Sequence, residues 1–204
     1  MAHPWPLFDL AVRTPRLELR LPTDAELLPL IDVARAGIHD PEVMPFYEPW
    51  TDVEGEAFDR ALLAFHWSSR TRLAPDDWAL VLGIFVDGAF AGEINLNSIH
   101  RGAFQSAYIG YWIDERVAGN GYMPESVVLV LRFGFEQLGL HRMQIAIIPR
   151  NANSRRVVDK LGLREEGVAL RYLEINGEWE DHVRYAITSE EWETRRDELS
   201  AAWL

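Results

Sequence analysis

The chain has 204 residues, of which 48% are hydrophobic and 25% charged, a composition typical of one globular domain spanning 1–204. It contains no cysteine, which excludes disulfides, thiolate catalysis and cysteine-ligated zinc, and no apolar run approaches the roughly 20 residues of a membrane helix. Its 20 basic and 32 acidic residues give a formal charge of −12, which disfavours nucleic acid as a partner. Without a secretory signal at the N-terminus, the chain is expected to be cytoplasmic.

Sequence patterns in the first part of the chain predict one strand and two helices. Polar and apolar residues alternate over 16–21, as in a half-buried strand, and Thr23 is placed to cap a helix that runs to about Gly37. Prolines and bulky apolar residues over 39–50 favour an ordered loop, which we expect to form a mobile pocket wall. A second helix is predicted over 51–73.

The rest of the chain is predicted to alternate between strands and helices. Asp87-Gly88 and Asn176-Gly177 are turn pairs that indicate two β-hairpins. The expected elements are strands over 78–86, 89–100, 104–114 and 141–148, helices over 122–138 and 152–161, a closing hairpin, and a charged C-terminal helix over 189–201. Because a helix joins the strands over 104–114 and 141–148, these two strands are expected to be parallel.

One glycine-bearing loop, Arg116-Val-Ala-Gly-Asn-Gly-Tyr122, lies between a predicted strand and a buried helix. Glycines there let backbone amides converge, and the helix N-terminus adds free amides and a positive dipole end, so the loop can bind an anion. A plain strand-to-helix turn would use the same glycines. The loop has no lysine after it and no third glycine, which excludes the two common nucleotide-binding fingerprints.

The spacing Arg116-x-x-Gly119-x-Gly121 resembles the pyrophosphate loop of the GNAT superfamily of N-acyltransferases. Three further segments resemble the branch that acetylates N-terminal residues of ribosomal proteins. They are the opening strand over 14–20, the helix motif over 151–163, in which Leu163 replaces the usual phenylalanine, and the closing hairpin over 171–185. The resemblance implies an α/β (α+β) GNAT fold with a core over 14–188 and a mixed, mostly antiparallel sheet of about seven strands, which splays between two parallel central strands.

The resemblance also implies a reaction: an acyl group moves from acetyl-CoA, or another short acyl-CoA, directly to a primary amine such as a protein N-terminus, with no metal. The amides around Val117 to Tyr122 would hold the CoA diphosphate, and a backbone amide near Tyr111 to Ile113 would polarise the thioester carbonyl. The implied CoA-binding residues are Tyr111, Trp112, Ile113, Arg116, Val117, Ala118, Gly119, Asn120, Gly121, Tyr122, Asn151 and Arg155.

Two residues of the 151–163 motif are predicted to be catalytic. Ser154 corresponds to the serine of the ribosomal-protein branch and is expected to donate a hydrogen bond to the CoA sulfur, with Asn151 beside it. A polar first-turn serine and a helix N-cap are the simpler alternatives for these two residues. The tyrosine that serves as the acid in many superfamily members is replaced here by Val158.

No general base can be assigned from the sequence. The glutamate of the ribosomal-protein branch aligns with Leu173, and Glu174 would face the other side of its strand unless a bulge intervened. Glu93 or a water relay is possible, although a structural role is favoured for any single carboxylate. Structural roles are also expected for His100, His141 and His182, and core positions for Trp179 and Tyr185.

Other readings of the motifs remain open. The donor could be succinyl-CoA, with a carboxylate bound by an arginine such as Arg101, Arg171 or Arg184. The chain could instead be a non-catalytic CoA sensor or, less in keeping with its charge, a nucleotide-binding regulator. A homodimer is possible, and the aromatic segment over 46–67 could lie at its interface or over the substrate.

Overall fold

The structure is a computed structural model that describes residues 6–71 and 77–204. Its strands form one eight-stranded sheet in the order β1-β2-β3-β4-β5-β6-β8-β7, and all neighbours are antiparallel except β5 and β6. The strands are β1 (Ala11–Arg13), β2 (Leu17–Arg20), β3 (Asp77–Val86), β4 (Ala89–His100), β5 (Ser106–Ile113), β6 (Arg142–Ile147), β7 (Arg164–Ile175) and β8 (Glu178–Thr188). The mixed, mostly antiparallel sheet predicted from the sequence is confirmed, with the short β1 as an additional edge strand.

Five α-helices flank the sheet: α1 (Asp24–Ala36), α2 (Gly55–Ser69), α3 (Tyr122–Arg132), α4 (Ala152–Lys160) and α5 (Ser189–Trp203). A π-helical turn over Phe133–Gln137 prolongs α3, and short 3-10 turns lie at Pro6–Asp9, Trp50–Asp52 and Glu115–Val117. None of the helices in the described ranges is both long enough and apolar enough to cross a membrane.

Local signals account for the main turns and helix starts. Both residues of Asp87-Gly88 and of Asn176-Gly177 have positive φ, as the tight hairpin turns require. Thr23 opens α1 with a capping box in which Glu26 returns the hydrogen bond. The same device opens α5, where Thr188 is the cap and Glu191 its partner. These elements were predicted correctly.

The two faces of the sheet carry different helices. On one face α3, α4 and α5 pack against apolar residues of the central strands such as Ile109 and Ile145, and α3 is buried almost all round. On the other face α1 and α2 pack against residues that include Phe85 and Trp112. Side chains alternate along each strand, so neighbouring residues of β5 serve opposite faces.

The two parallel strands separate after a short paired stretch. β5 and β6 are paired only from Ser106 with Arg142 to Tyr108 with Gln144. Beyond this point β5 continues to Ile113 with no strand on its β6 side, whereas β6 is paired with β8 on its other edge from Arg142 to Ile147. This separation confirms the predicted splay and leaves a gap bordered by a free strand edge.

The structure corrects two sequence-based expectations. The second helix begins at Gly55 rather than at position 51, because Val53 and Glu54 are extended, and its predicted end at Leu73 lies outside the described residues. Trp179 is 60% exposed rather than buried, because it lies at the tip of the β7–β8 hairpin beyond the cover of the helices, whereas Tyr185 is a core residue as expected.

Candidate active site

The glycine-bearing loop joins β5 to α3 beside the open end of the splayed strands. Asp114 caps the 3-10 turn by accepting from the Arg116 amide, and its carboxylate also holds the Arg116 guanidinium in contacts of 2.6–2.9 Å. The guanidinium of Arg116 lowers the pKa of Asp114. The Arg116 side chain therefore folds back onto the start of the loop. The sequence motif did not reveal that Asp114 is its partner.

Consecutive backbone amides after this turn lack protein partners. The amides of Gly119, Asn120 and Gly121 donate to no acceptor in the described chain, and those of Tyr122 and Met123 belong to the first turn of α3. Gly119 and Gly121 both have φ near +85°, which favours glycine, and a Cβ at Gly119 would meet nothing within 4 Å. The loop thus forms an open cradle of N–H groups that fits a diphosphate.

The first turn of α3 is tied to the N-terminal segment. Glu125 is buried, accepts a hydrogen bond from the Thr14 hydroxyl at 2.5 Å and forms an ion pair with Arg16, whose Nε lies 3.2 Å away. Arg16 also donates to the carbonyl of Asn120 at 2.7 Å and lies over the Tyr122 ring. The motif over 14–20 therefore helps to position the amide cradle.

Tyr111 and Ser154 meet across the gap between the splayed strands. Ser154 Oγ donates to Tyr111 Oη at 2.9 Å, and Tyr111 Oη donates to the Ser154 carbonyl at 3.2 Å. Burial raises the pKa of Tyr111, so its hydroxyl stays protonated. The contact joins β5 to α4, which follows β6, across the gap on the α3–α4 face.

The other predicted residues lie around this contact. Asn151 is the N-cap of α4 and its side chain accepts a hydrogen bond from the Ser154 amide at 3.0 Å. The helix-cap role given as the simpler alternative for Asn151 is therefore present. Arg155 donates from Nε to Tyr185 Oη at 3.3 Å. Val158, at the position of the usual acid, is completely buried.

The cradle, the free edge of β5 and the Tyr111–Ser154 contact agree with the expected acyl-CoA site, and comparison with known proteins decides the family. The acetyltransferase (GNAT) domain matches residues 16–164. The chain belongs to the GNAT acetyltransferase family.

Two relatives and one solved structure show which proteins this GNAT chain is similar to. YjcK, a probable N-acetyltransferase of Bacillus subtilis (strain 168), is 45% identical over 107 residues, which cover 52% of this chain and 59% of YjcK. The ribosomal protein uS5-alanine N-acetyltransferase of Escherichia coli (strain K12) is 29% identical over 185 residues, which cover 88% of this chain and 91% of that protein. The structure of Mycobacterium smegmatis RimJ in complex with CoA-disulfide has a TM-score of 0.75 at 28% identity and covers 89% and 87% of the two chains. By class, the GNAT chain is an N-acetyltransferase.

The carboxyl group of Glu93 does not face an open cleft in this GNAT domain. It is buried beneath α2, where Oε2 accepts from Trp112 Nε1 at 2.8 Å and Oε1 lies 3.4 Å from His66 Nε2. Burial raises the pKa of Glu93 to about 8, and burial together with the charge of Arg70 lowers the pKa of His66 to about 4. At neutral pH a carboxylic acid therefore faces a neutral imidazole, an arrangement that favours the structural role.

The register of β7 against β8 shifts between Ala169 and Leu173, where Arg171 has a φ of +47°, but it is regular from Leu173 to Ile175. Glu174 therefore still points to the face opposite Leu173, and its exposed carboxylate has no hydrogen-bond partner within the described ranges. The geometry thus singles out no carboxylate as the base.

The predicted loop over 39–50 lies across the gap on the α1–α2 face. Trp50 packs on Trp112 of β5 at 6.0 Å between ring centroids, and Met44 is buried with Ile148 and Ile175 at the end of β6 and the closing hairpin. The loop therefore reaches both sides of the splay and forms a wall of the cleft.

Proposed function

We propose that this chain transfers the acetyl group of acetyl-CoA to the α-amino group of a protein N-terminus. The observation that carries the proposal is the run of unpartnered amides over 119–123, placed next to the free edge of β5. The E. coli relative, whose name specifies the alanine of ribosomal protein uS5, supports an N-terminal acceptor.

Binding of the donor would rest on the loop and the free strand edge. The amides of Gly119 to Met123 and the positive end of the α3 dipole would hold the diphosphate of CoA. Arg155 would add positive charge beside the gap, whereas the charge of Arg116 is already paired with Asp114. The unpaired edge of β5, from Ile109 to Ile113, would hydrogen-bond the pantetheine arm as a neighbouring strand would.

Two groups of the chain would assist acetyl transfer. Acetyl-CoA supplies an activated acetyl thioester and a thiolate leaving group. A backbone amide near Tyr111 to Ile113 would donate to the carbonyl oxygen, where negative charge develops. Ser154 would donate a hydrogen bond from its hydroxyl to the thiolate sulfur after rotating the hydroxyl away from Tyr111, and Asn151 would hold the first turn of α4 in place.

The amine would attack directly in a ternary complex, so positioning of the two substrates provides most of the rate enhancement. The sequence contains no cysteine, so a cysteinyl acyl-enzyme cannot form. Deprotonation of the amine is assigned to water in the cleft between the splayed strands and the wall over 39–50. We place the reaction in the cytoplasm; the homodimer stays a prediction.

The test combines donor binding with turnover. Gly119→Asp would place a carboxylate in the open space beside the free amides and is expected to weaken CoA binding by about 100-fold, measured by calorimetry. Gly102→Asp is the matched control, because Gly102 also has a positive φ and nothing within 4 Å of its Cβ position but precedes β5 at the other end of the strand. The wild type is expected to release thiol from acetyl-CoA with peptides that begin with alanine or serine.

Two results would contradict the proposal. Normal CoA affinity in Gly119→Asp would show that the loop is not the diphosphate site. Tight CoA binding without thiol release, on any peptide with a free N-terminus, would show that the chain is a sensor rather than an enzyme.

A further inference from the structure

A polar cluster of four residues lies where β5 and β6 begin to separate. Arg184 of β8 donates from Nη2 to Tyr108 Oη at 2.8 Å and to Gln144 Oε1 at 3.0 Å. The guanidinium lies 4.6 Å from the centroid of the Tyr172 ring and 5.3 Å from that of Tyr108. We name Tyr108, Gln144, Tyr172 and Arg184 the Arg184 cluster.

The cluster faces the side of the gap from which an acceptor can enter. Tyr108 and Gln144 form the last backbone pair before the strands diverge. Tyr108 lies on the same face of β5 as Trp112, four residues later, whereas Tyr111 points to the opposite face. On that opposite face the Tyr111–Ser154 contact spans the gap. We therefore expect the acceptor amine to approach past the Arg184 cluster.

Arg184 carries a positive charge that no carboxylate of the described residues neutralises. Its hydrogen-bond partners are a phenol and an amide, and its Nε is buried with no partner in this part of the chain. Other arginines of the structure bind carboxylates, among them Arg20, Arg116, Arg150 and Arg164. The chain has 32 acidic residues, yet this partly buried arginine has only neutral partners among the described residues. A negatively charged group of a ligand could therefore serve as its counter-ion.

The surroundings of Arg184 keep its guanidinium in one orientation. Both hydrogens of Nη2 are used by Tyr108 and Gln144, and Gln144 is itself held by Ser106 at 2.9 Å. The Tyr172 ring lies against the guanidinium, and the Tyr172 hydroxyl donates to Tyr108 at 3.3 Å. Nη1 donates to no described residue, so it remains as a donor for a ligand.

We propose that the Arg184 cluster is an acceptor subsite that binds a carboxylate located within the first three residues of the acceptor peptide. This subsite rests on the proposed function, because it presumes that the amine enters at the splay. The subsite would bind the acidic side chain of the acceptor peptide, and the free amine of the same peptide would reach the gap between β5 and β6. The chain would therefore prefer acidic N-terminal sequences.

The test uses binding of reaction products, so that it does not depend on turnover. The probes are the N-acetylated tripeptide amides Ala-Asp-Ala and Ala-Ala-Asp, each paired with the same peptide carrying Asn in place of Asp. They are titrated by calorimetry into CoA-saturated protein. The wild type is expected to bind at least one Asp peptide about tenfold more tightly than its Asn partner, as a charge-assisted hydrogen bond would give.

Variants assign this preference to the cluster. Arg184→Gln is expected to bind Asp and Asn peptides equally while CoA affinity stays normal, which also shows that the variant folds. Arg184→Lys should retain part of the preference, because a point charge remains. Arg196→Gln, in an exposed position of α5, is the control for losing one positive charge and should keep the full preference.

Three results would contradict the subsite. The wild type could bind neither Asp peptide, it could bind Asp and Asn peptides equally, or Arg184→Gln could retain the preference for the Asp peptide. These failures are distinct from failure of the proposed function, which would appear as absence of CoA binding or of thiol release. If the chain acetylates peptides equally well with and without acidic residues, the proposed function stands and the proposed subsite is wrong.

Discussion

The free energy of unfolding of the wild type is expected to fall between pH 6.5 and 8, and replacing Glu93 with glutamine is expected to abolish this fall. The Glu93 carboxyl group is buried between Trp112 and His66, and this burial raises its pKa from 4.5 to about 8. Within that range the folded chain holds a proton that the unfolded chain releases, so the free energy of unfolding falls as pH rises. Glutamine can accept from Trp112 and donate to the neutral imidazole without any proton to lose.

His66 determines where the effect of Glu93 becomes visible. Burial lowers the pKa of His66 from 6.5 to about 4, so between these values stability rises with pH and offsets the loss from Glu93. Above pH 6.5 only the loss from Glu93 remains. The interval to pH 8 is about 1.5 pH units, which corresponds to about 2 kcal/mol at about 1.4 kcal/mol per unit.

Urea unfolding followed by tryptophan fluorescence at pH 6.5, 7, 7.5 and 8 would measure this loss. Wild type should lose about 2 kcal/mol relative to Glu93→Gln over the series. Glu136→Gln is the control, because exposed Glu136 also accepts from a tryptophan, Trp192. Parallel curves for wild type and Glu93→Gln would refute the reasoning, since they would mean that Glu93 is ionised in the folded chain at pH 6.5.

Three other substitutions test the parts of the site and the fold separately. Arg16→Ala removes the contacts with Asn120 and Glu125 and is expected to weaken CoA binding about fivefold by calorimetry, whereas the neighbouring Arg13→Ala should not. Ser154→Ala is expected to lower kcat more than CoA affinity, and equal losses in steady-state kinetics and calorimetry would indicate a purely structural serine. Thr188→Ala breaks the capping box of α5 and should cost about 1 kcal/mol in urea unfolding, a cost that would be absent if α5 did not need its cap.

Much of the fold could be predicted because its signals are local. Hairpins follow from residue pairs that accept positive φ, and the start of α1 follows from its Thr23 cap. The parallel pair was predictable because only a long connection such as α3 can join parallel strands. The exposure of Trp179 was not predictable in this way, since it depends on how far the closing hairpin extends beyond the helices.

The candidate site was predictable only where the chain itself brings its groups together. The cradle over 119–123 is a continuous segment, and its spacing is visible in the sequence. Arg184 and Tyr108 are 76 positions apart, and Arg16 and Asn120 are 104 apart, so their contacts depend on the strand order. Ser154 was predicted by resemblance, but its hydrogen bond to Tyr111 required the geometry of the gap.

The central claim is that backbone amides at the start of α3 bind the diphosphate of CoA. Amide chemical shifts of 15N-labelled protein, titrated with CoA and in parallel with pantetheine, test it most directly because pantetheine lacks the diphosphate. The largest shifts with CoA should fall on Gly119, Asn120 and Gly121, and pantetheine should leave these amides unchanged. Shifts confined to other parts of the chain, or the same shifts with pantetheine, would contradict the account.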